Sequence, residues 1–153
     1  MSTRNAYNPH DLVMHLKSWL AEIWPDFTAF ADILPEPDAT RPFYRSPFFL
    51  VQTTNGVYSP QIATAHIRIV LGVMSDAKVD GKDCEWAVGT LMNAVDALCV
   101  KLYNKPDGLL FGCLPGQLSW SLYQSDLRPV YQAQIEIPFE LPHAAHDNAG
   151  FLI

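Results

Sequence analysis

The sequence predicts an α+β domain in which a mostly antiparallel sheet carries two helices on one face, in the order α-β-β-β-α-β-β. Two segments repeat apolar residues at the helical period, and several shorter ones are rich in β-branched and aromatic residues. Hairpins before and after the second helix favour antiparallel pairing, with both helices on one face. The chain has 153 residues, 49% of them hydrophobic, which suits one domain with a full core.

The first helix is predicted between Asn8 and Pro25. Asn8 can cap the helix, Pro9 suits the first helical position, and Asp11 lies near the positive end of the helix dipole. The residue before a proline avoids helical geometry, so Pro25 ends the helix. Its apolar residues at helical spacing are Leu12, Leu16, Leu20 and Ile23.

Three strands are predicted before the second helix: Phe27 to Leu34, Pro47 to Thr54 and Ile62 to Val73. Between the first two, the segment Pro35 to Pro42 holds three prolines and is predicted to be a surface loop. Asn55-Gly56 is typical of a hairpin turn, here with extra loop residues through Ser59-Pro60. The three strands therefore end in a hairpin with a long or irregular loop.

The second helix is predicted from Asp83 to Asn104, with Pro106-Asp107-Gly108 ending it. Its apolar stripe consists of Val88, Leu91, Val95, Leu98 and Leu102. The segment Leu109 to Gly116 is apolar but broken by two glycines and a proline. Gln117 to Gln124 is predicted to be a strand with Leu118, Trp120 and Leu122 on one face.

The closing strand, which leads to Glu140, alternates between a buried and a solvated face. Ala133, Ile135, Ile137 and Phe139 are expected inside, and Gln132, Gln134, Glu136 and Glu140 outside. The domain is expected to cover residues 1–142, and residues 143–153 are expected to form a flexible tail.

Composition argues against several classes of protein. A net charge of −6 disfavours a conventional nucleic-acid binder, because such binding depends on Lys and Arg neutralising phosphates. No apolar run approaches the roughly 20 residues that cross a bilayer, so no membrane partner is expected. The N-terminal residues lack the apolar core of a signal peptide, which favours a cytoplasmic location. Three cysteines without CxxC spacing predict buried thiols and no disulfide framework.

The sequence contains no GxGxxG, GxxxxGK[ST], HExxH or GxSxG motif. His143, His146 and Asp147 could begin a metal site, but two ligands on an unstructured tail lose ordering entropy on binding, so no metal and no cofactor are predicted. His66 and Arg68 are interpreted as a solvated strand face. A non-enzyme is therefore expected. The alternatives left open are a small α+β enzyme or ligand-binding domain, and a bacterial adaptor that uses apolar loops.

Three apolar segments exceed what the predicted core needs: Leu109 to Leu114, Phe43-Tyr44 with Phe48-Phe49, and Phe151-Leu152-Ile153. Exposed apolar patches usually mark protein contacts. The other interpretation is that these segments fold back over the sheet, and both remain open at this point.

The architecture resembles the tail terminator, or tail-completion, proteins of phages, a group that includes minor tail protein U of lambdoid phages and relatives in Mu-like phages. The resemblance rests on the helix Leu12 to Trp24, the strand Ile62 to Val73 before a polar loop and a long helix, and the end of the chain. There, Leu118-Ser-Trp120 is followed by Pro129-Val-Tyr131 and the closing strand. The proline-rich insert and the apolar loop after Gly108 depart from the family pattern.

The resemblance implies a virion structural protein without catalytic residues. It would form a ring, typically a hexamer, that caps the tail tube and meets the head-tail connector protein. The location would be the virion tail, after assembly in the host cytoplasm. DNA would pass through the ring without specific binding, which an acidic chain suits because a basic lumen would hold phosphates.

A ring needs two different contact surfaces on each subunit. The apolar candidates are Leu109, Leu110 and Phe111, expected at a subunit or tube contact. The charged candidates are Asp76, Lys78, Asp80 and Lys82, expected to set docking specificity. Gln134 and Glu136, on the outer face of the closing strand, are expected to complete a sheet or to meet a neighbouring subunit.

Overall fold

The computed structural model describes residues 6, 8–33, 47–74, 84–124 and 130–142, which form two helices and one mixed six-stranded sheet. The elements are α1 (Pro9–Ile23), β1 (Thr28–Ala31), β2 (Phe48–Tyr58), β3 (Ala63–Met74), α2 (Cys84–Tyr103), β4 (Leu114–Pro115), β5 (Ser119–Gln124) and β6 (Val130–Leu141). The α+β class and the predicted order are confirmed, with the two-residue β4 as an addition. In this part of the chain, no helix is long and apolar enough to cross a membrane.

Helix α1 begins and ends as its sequence predicts. The Asn8 side-chain oxygen accepts a hydrogen bond from the Asp11 N–H at 2.8 Å, and Pro9 occupies the first turn. At the other end the Trp24 N–H donates to the Leu20 carbonyl at 2.7 Å, just before Pro25. Its buried residues are Leu12, Val13, Leu16 and Leu20.

The sheet order is β1-β2-β3-β6, and both β4 and β5 pair with β6 on its far side. β3 and β6 are antiparallel along their whole lengths, from Ala63 opposite Leu141 to Met74 opposite Val130. Only β1 and β2 are parallel among the described pairs, so the sheet is mostly antiparallel, as predicted.

The predicted turn at Asn55-Gly56 is wrong. β2 continues to Tyr58, and the chain reverses over residues 59–62. In this turn the Ser59 N–H donates to the Ile62 carbonyl at 2.8 Å, and the Ser59 hydroxyl accepts from the Ile62 N–H at 3.0 Å. The hairpin is therefore longer than the sequence predicts.

Gly56 is needed inside the strand for a different reason than a turn. A Cβ atom at Gly56 would lie 2.7 Å from the carbonyl oxygen of Thr64 on the neighbouring strand, so only glycine allows this approach. The irregularity of the hairpin is a register shift between Thr53 and Asn55, typical of a β-bulge.

One hydrophobic core lies between the sheet and both helices. Ile135 and Ile137 on β6 are fully buried while Glu136 is exposed, which confirms the predicted alternation. The buried stripe of α2 is Ala87, Leu91, Ala94, Val95, Leu98 and Leu102. Val88, which is predicted in the stripe, is only half-buried because it lies at the margin of the helix face that packs on the sheet.

Phe48 and Phe49 are both buried, so this pair is not an exposed apolar segment. Phe49 packs in the main core, whereas Phe48 lies on the opposite face of the sheet. There the Phe48 ring covers Gly72, its partner on β3, and meets Phe30 edge-on at 6.3 Å between ring centroids. For Phe48 and Phe49, the interpretation that the apolar segment folds onto the sheet is therefore correct.

Two exposed sheet edges as a candidate assembly surface

The apolar loop after α2 is largely part of the core. Leu110 is 2% exposed, and Phe111 is half-buried against the core with its ring stacked on His15 at 4.9 Å. The backbone carbonyl of Phe111 also accepts a hydrogen bond from the Ala6 N–H at 2.8 Å. Leu109, at 40% exposure, is the member of this trio that a partner can reach, and its role in a contact stays a prediction.

A cleft of about 380 Å³ lies beside this loop, lined by residues 105–107 and 109–112. Its charged groups serve local structure. The Lys105 ammonium lies over the Trp19 ring, 5.8 Å from the centroid. A carboxylate oxygen of Asp107 accepts a hydrogen bond from the Leu109 N–H at 3.0 Å. The loop bends through positive φ at Gly108, Phe111 and Gly112.

Several predicted features lie outside the described residues. They are the charged loop with Asp76, Lys78, Asp80 and Lys82, the loop Pro35 to Pro42, Phe43-Tyr44, and the tail with His143, His146, Asp147 and Phe151-Leu152-Ile153. What the sequence suggests for these residues stays a prediction.

Gln134 and Glu136 lie where the alternation places them, but β6 is not a sheet edge. It pairs with β3 on one side and with β4 and β5 on the other, so its main chain cannot complete a neighbour's sheet. Glu136 faces Arg68 across the β3–β6 ladder, with 3.3 Å between carboxylate and guanidinium. This pair is solvent-exposed and stabilises the fold by at most about 1 kcal/mol.

β5 forms one exposed edge of the sheet. Among the described residues it pairs only with β6, so its outer main-chain groups face away from the sheet. Trp120 and Leu122 stand opposite the buried residues Ile135 and Ala133, which places them on the helix-bearing face. Yet Trp120 is 47% exposed and Leu122 43%, because α2 covers β3 and β6 rather than β5.

The apolar surface of β5 continues onto the flank of α2. The Tyr103 hydroxyl donates to the Gly116 carbonyl at 2.7 Å and accepts from the Leu118 N–H at 2.8 Å, so this flank faces the start of β5. Met92 and Cys99 share the flank, since they precede Tyr103 by eleven and four residues. We call Tyr103, Leu118, Trp120 and Leu122 the β5 patch.

The second exposed edge is the outer part of the β2–β3 hairpin. β1 pairs with β2 only along Phe48–Val51, and residues 53–58 beyond it are all exposed. Val57 is 63% exposed, Tyr58 65% and Ile62 48%. We call residues 53–62 the β2 arm.

Neither edge carries a charged residue, although the chain has a net charge of −6. Residues 53–62 read Thr-Thr-Asn-Gly-Val-Tyr-Ser-Pro-Gln-Ile, and β5 reads Ser-Trp-Ser-Leu-Tyr-Gln. Proteins commonly protect exposed edges with charged side chains, above all lysine. The two edges lack that protection, which makes them the leading candidates for a protein contact.

The thiols of Cys99 and Cys113 are protonated at neutral pH. Burial raises the pKa of Cys113 to about 12. Burial also raises the pKa of Cys99, and the nearby Asp96 carboxylate adds to that effect. Thiols of this kind are poor nucleophiles. Within the same residues, no three His, Cys, Asp or Glu side chains are grouped as a metal site.

No protein-family model matches the chain, and no curated protein matches it. The two edges were missed by the sequence reasoning for separate reasons. Val57 and Tyr58 were assigned to a turn region because Asn55-Gly56 is a strong turn signal. Trp120 and Leu122 were placed correctly on one face of a strand, but the alternation does not show whether a helix covers that face.

Proposed function

We propose that the protein is a virion structural protein, a phage tail terminator that assembles into a ring, caps the tail tube and joins it to the head connector. The observation that carries the proposal is the presence on one sheet of two different uncharged edges that expose large apolar side chains, the β2 arm and the β5 patch. The α+β architecture, with the element order expected for that family, supports it.

The link from two edges to a ring is geometric. A two-fold dimer uses one self-complementary patch, whereas a closed ring joins one surface of each subunit to a different surface of the next. The β2 arm and the β5 patch lie toward opposite ends of the strand order and differ in sequence. They therefore suit head-to-tail contacts, and a hexamer is the ring size that the family resemblance implies.

The remaining parts of the proposal follow from the same role. The ring needs no cofactor and catalyses no reaction. Its partners are the tail tube protein and the head-tail connector protein, and DNA passes through the lumen without sequence-specific contacts. The protein resides in the virion tail, after assembly in the host cytoplasm. Net negative charge suits such a lumen, because phosphates are not held there.

The experiment measures assembly directly. Light scattering coupled to size exclusion gives the mass of the purified protein alone and after mixing with tail tubes made without a terminator, and electron microscopy shows whether tube ends are capped. We expect a ring on the tube end. Tubes that stay uncapped, with protein that stays monomeric in their presence, would contradict the proposal. Met14→Lys is a matched control, since Met14 is 42% exposed on α1, which contributes no residue to either edge.

A further inference from the structure

We propose that the ring is closed by main-chain pairing: β5 of one subunit adds to the outer part of β2 in the next subunit, which makes the sheet continuous around the ring. This inference rests on the proposed function for the existence of the ring, and it identifies the partner of each edge as a second copy of this chain. It also replaces the apolar loop after α2 with β5 as the apolar half of the contact.

Both edges have main-chain groups on their outer side that pair with no strand among the described residues. Beyond the register shift between Thr53 and Asn55, residues 55–58 continue as regular strand, and among the described residues they pair only with β3. β5 likewise pairs with β6 on one side among the described residues. Each edge thus presents a row of N–H and C=O groups, and β-strand addition satisfies such a row with another strand.

The exposed side chains of Tyr58 on the arm and of Trp120 and Leu122 on β5 project from the same face of the sheet. Tyr58 pairs with Ala63, two residues from the fully buried Ala65, so Tyr58 projects from the helix-bearing face of the sheet. Trp120 and Leu122 project from that same face. In a sheet that continues from one subunit to the next, Tyr58 and these two residues become cross-strand neighbours, and cross-strand pairs that include an aromatic side chain stabilise antiparallel strands.

Space for this contact is present on the arm. Gly56, two residues before Tyr58, shares its face and has no side chain, so an indole from the neighbouring subunit can lie beside Tyr58. On the other face the arm carries Asn55 and Val57, and β5 carries the small residues Ser119 and Ser121.

Charge favours a second copy as the occupant. Two subunits with a net charge of −6 each repel one another over most of their surfaces. The two edges carry no Asp or Glu, so they are where acidic copies can meet without like charges in contact. A basic partner would instead be drawn to the acidic remainder of the surface.

The test uses one variant for each edge. Tyr58→Lys blocks the β2 arm, and the double variant Trp120→Lys with Leu122→Lys blocks β5, because lysine is the side chain that protects natural edges. We expect each variant alone to lose assembly under conditions in which the parent assembles. A mixture of the two variants should form one-to-one heterodimers and nothing larger, since one arm and one β5 remain intact and the other two edges are blocked.

The alternatives give different results. If β5 pairs with β5 of a second copy, Tyr58→Lys still dimerises alone, which overturns the inference. If the parent assembles and both variants assemble equally well, the ring uses other surfaces and the edge pairing is wrong while the proposed function stands. If the parent never assembles, with or without tail tubes, the proposed function is wrong. Met14→Lys should assemble like the parent.

Hydrogen exchange of the unmodified protein keeps the inference testable if a variant fails to fold. The main-chain amides of residues 55–58 and 119–124 should exchange more slowly in the assembled protein than in the dilute monomer, because half of them gain a partner strand. Equal exchange rates in the two states would overturn edge pairing.

Discussion

The Tyr103 hydroxyl accepts a hydrogen bond from the Leu118 backbone N–H at 2.8 Å and so connects the last residue of α2 to the start of β5. The same hydroxyl donates to the Gly116 carbonyl at 2.7 Å. These two hydrogen bonds join the end of α2 to the residues just before β5, across the loop that connects them. They position the part of the sheet that we propose as half of the subunit contact.

Tyr103→Phe should loosen β5 without disturbing the core. It removes both hydrogen bonds but keeps the ring, so we expect the free energy of unfolding to fall by about 1–2 kcal/mol. Urea denaturation measures the loss, and hydrogen exchange should quicken in residues 119–124. Tyr58→Phe is the control. Because Tyr58 is exposed on the arm, this substitution should change the free energy of unfolding of the monomer by less than about 0.5 kcal/mol. Equal effects of the two changes would refute this role of Tyr103.

Two glycines should respond oppositely to alanine. At Gly72 a Cβ atom would lie 2.1 Å from the Phe48 ring, and Phe48 is 1% exposed, so Gly72→Ala should destabilise the fold by about 1–3 kcal/mol or more. At Gly89, inside α2, nothing lies within 4 Å, so Gly89→Ala should stabilise it by about 0.5–1 kcal/mol. Thermal unfolding of the pair checks both signs. A neutral Gly72→Ala would mean that the Phe48 ring is not held over β3.

Ile137→Ala tests the inward face of β6. Ile137 is 1% exposed in the main core, so its truncation leaves a cavity and should cost about 2–5 kcal/mol. The neighbouring Glu136→Ala, on the exposed face, should change stability by less than about 1 kcal/mol even though it removes the Arg68 pair. Denaturant unfolding gives both values. An Ile137→Ala cost below about 0.5 kcal/mol would place the wrong face inside.

The buried thiol of Cys113 should make stability depend on pH under alkaline conditions. Burial raises its pKa from 9.0 to about 12, so between these values the unfolded chain releases a proton that the folded chain keeps. Unfolding is then favoured progressively as the pH rises, and below pH 9.0 this thiol contributes no pH dependence.

Cys113→Ala removes that contribution, and the comparison cancels the titration of other groups. The stability difference between parent and variant should be constant at neutral pH and should shrink as the pH rises above about 9. Chemical denaturation at a series of pH values measures it. A difference that stays constant to pH 11 would mean that the thiol is not desolvated in the folded protein.

Local patterns in the sequence determined the elements that depend on neighbouring residues. Asn8 and Pro9 define the start of α1, because capping and proline geometry act within one turn. The alternation around Ile135 and Ile137 defined the buried face of β6, because strand side chains alternate irrespective of the rest of the fold. The order of helices and strands followed from such patterns.

Tertiary structure decided the features that depend on distant residues. Gly56 lies within a strand rather than a turn because the Thr64 carbonyl on β3 approaches it too closely for a side chain. Leu110 is buried, while Trp120 and Leu122 are exposed, although all three are large apolar residues in the stretch between α2 and β6. The difference depends on which parts of the sheet α1 and α2 cover. Burial by an element that is distant in the chain does not change the local periodicity of the sequence, so the sequence pattern does not predict it.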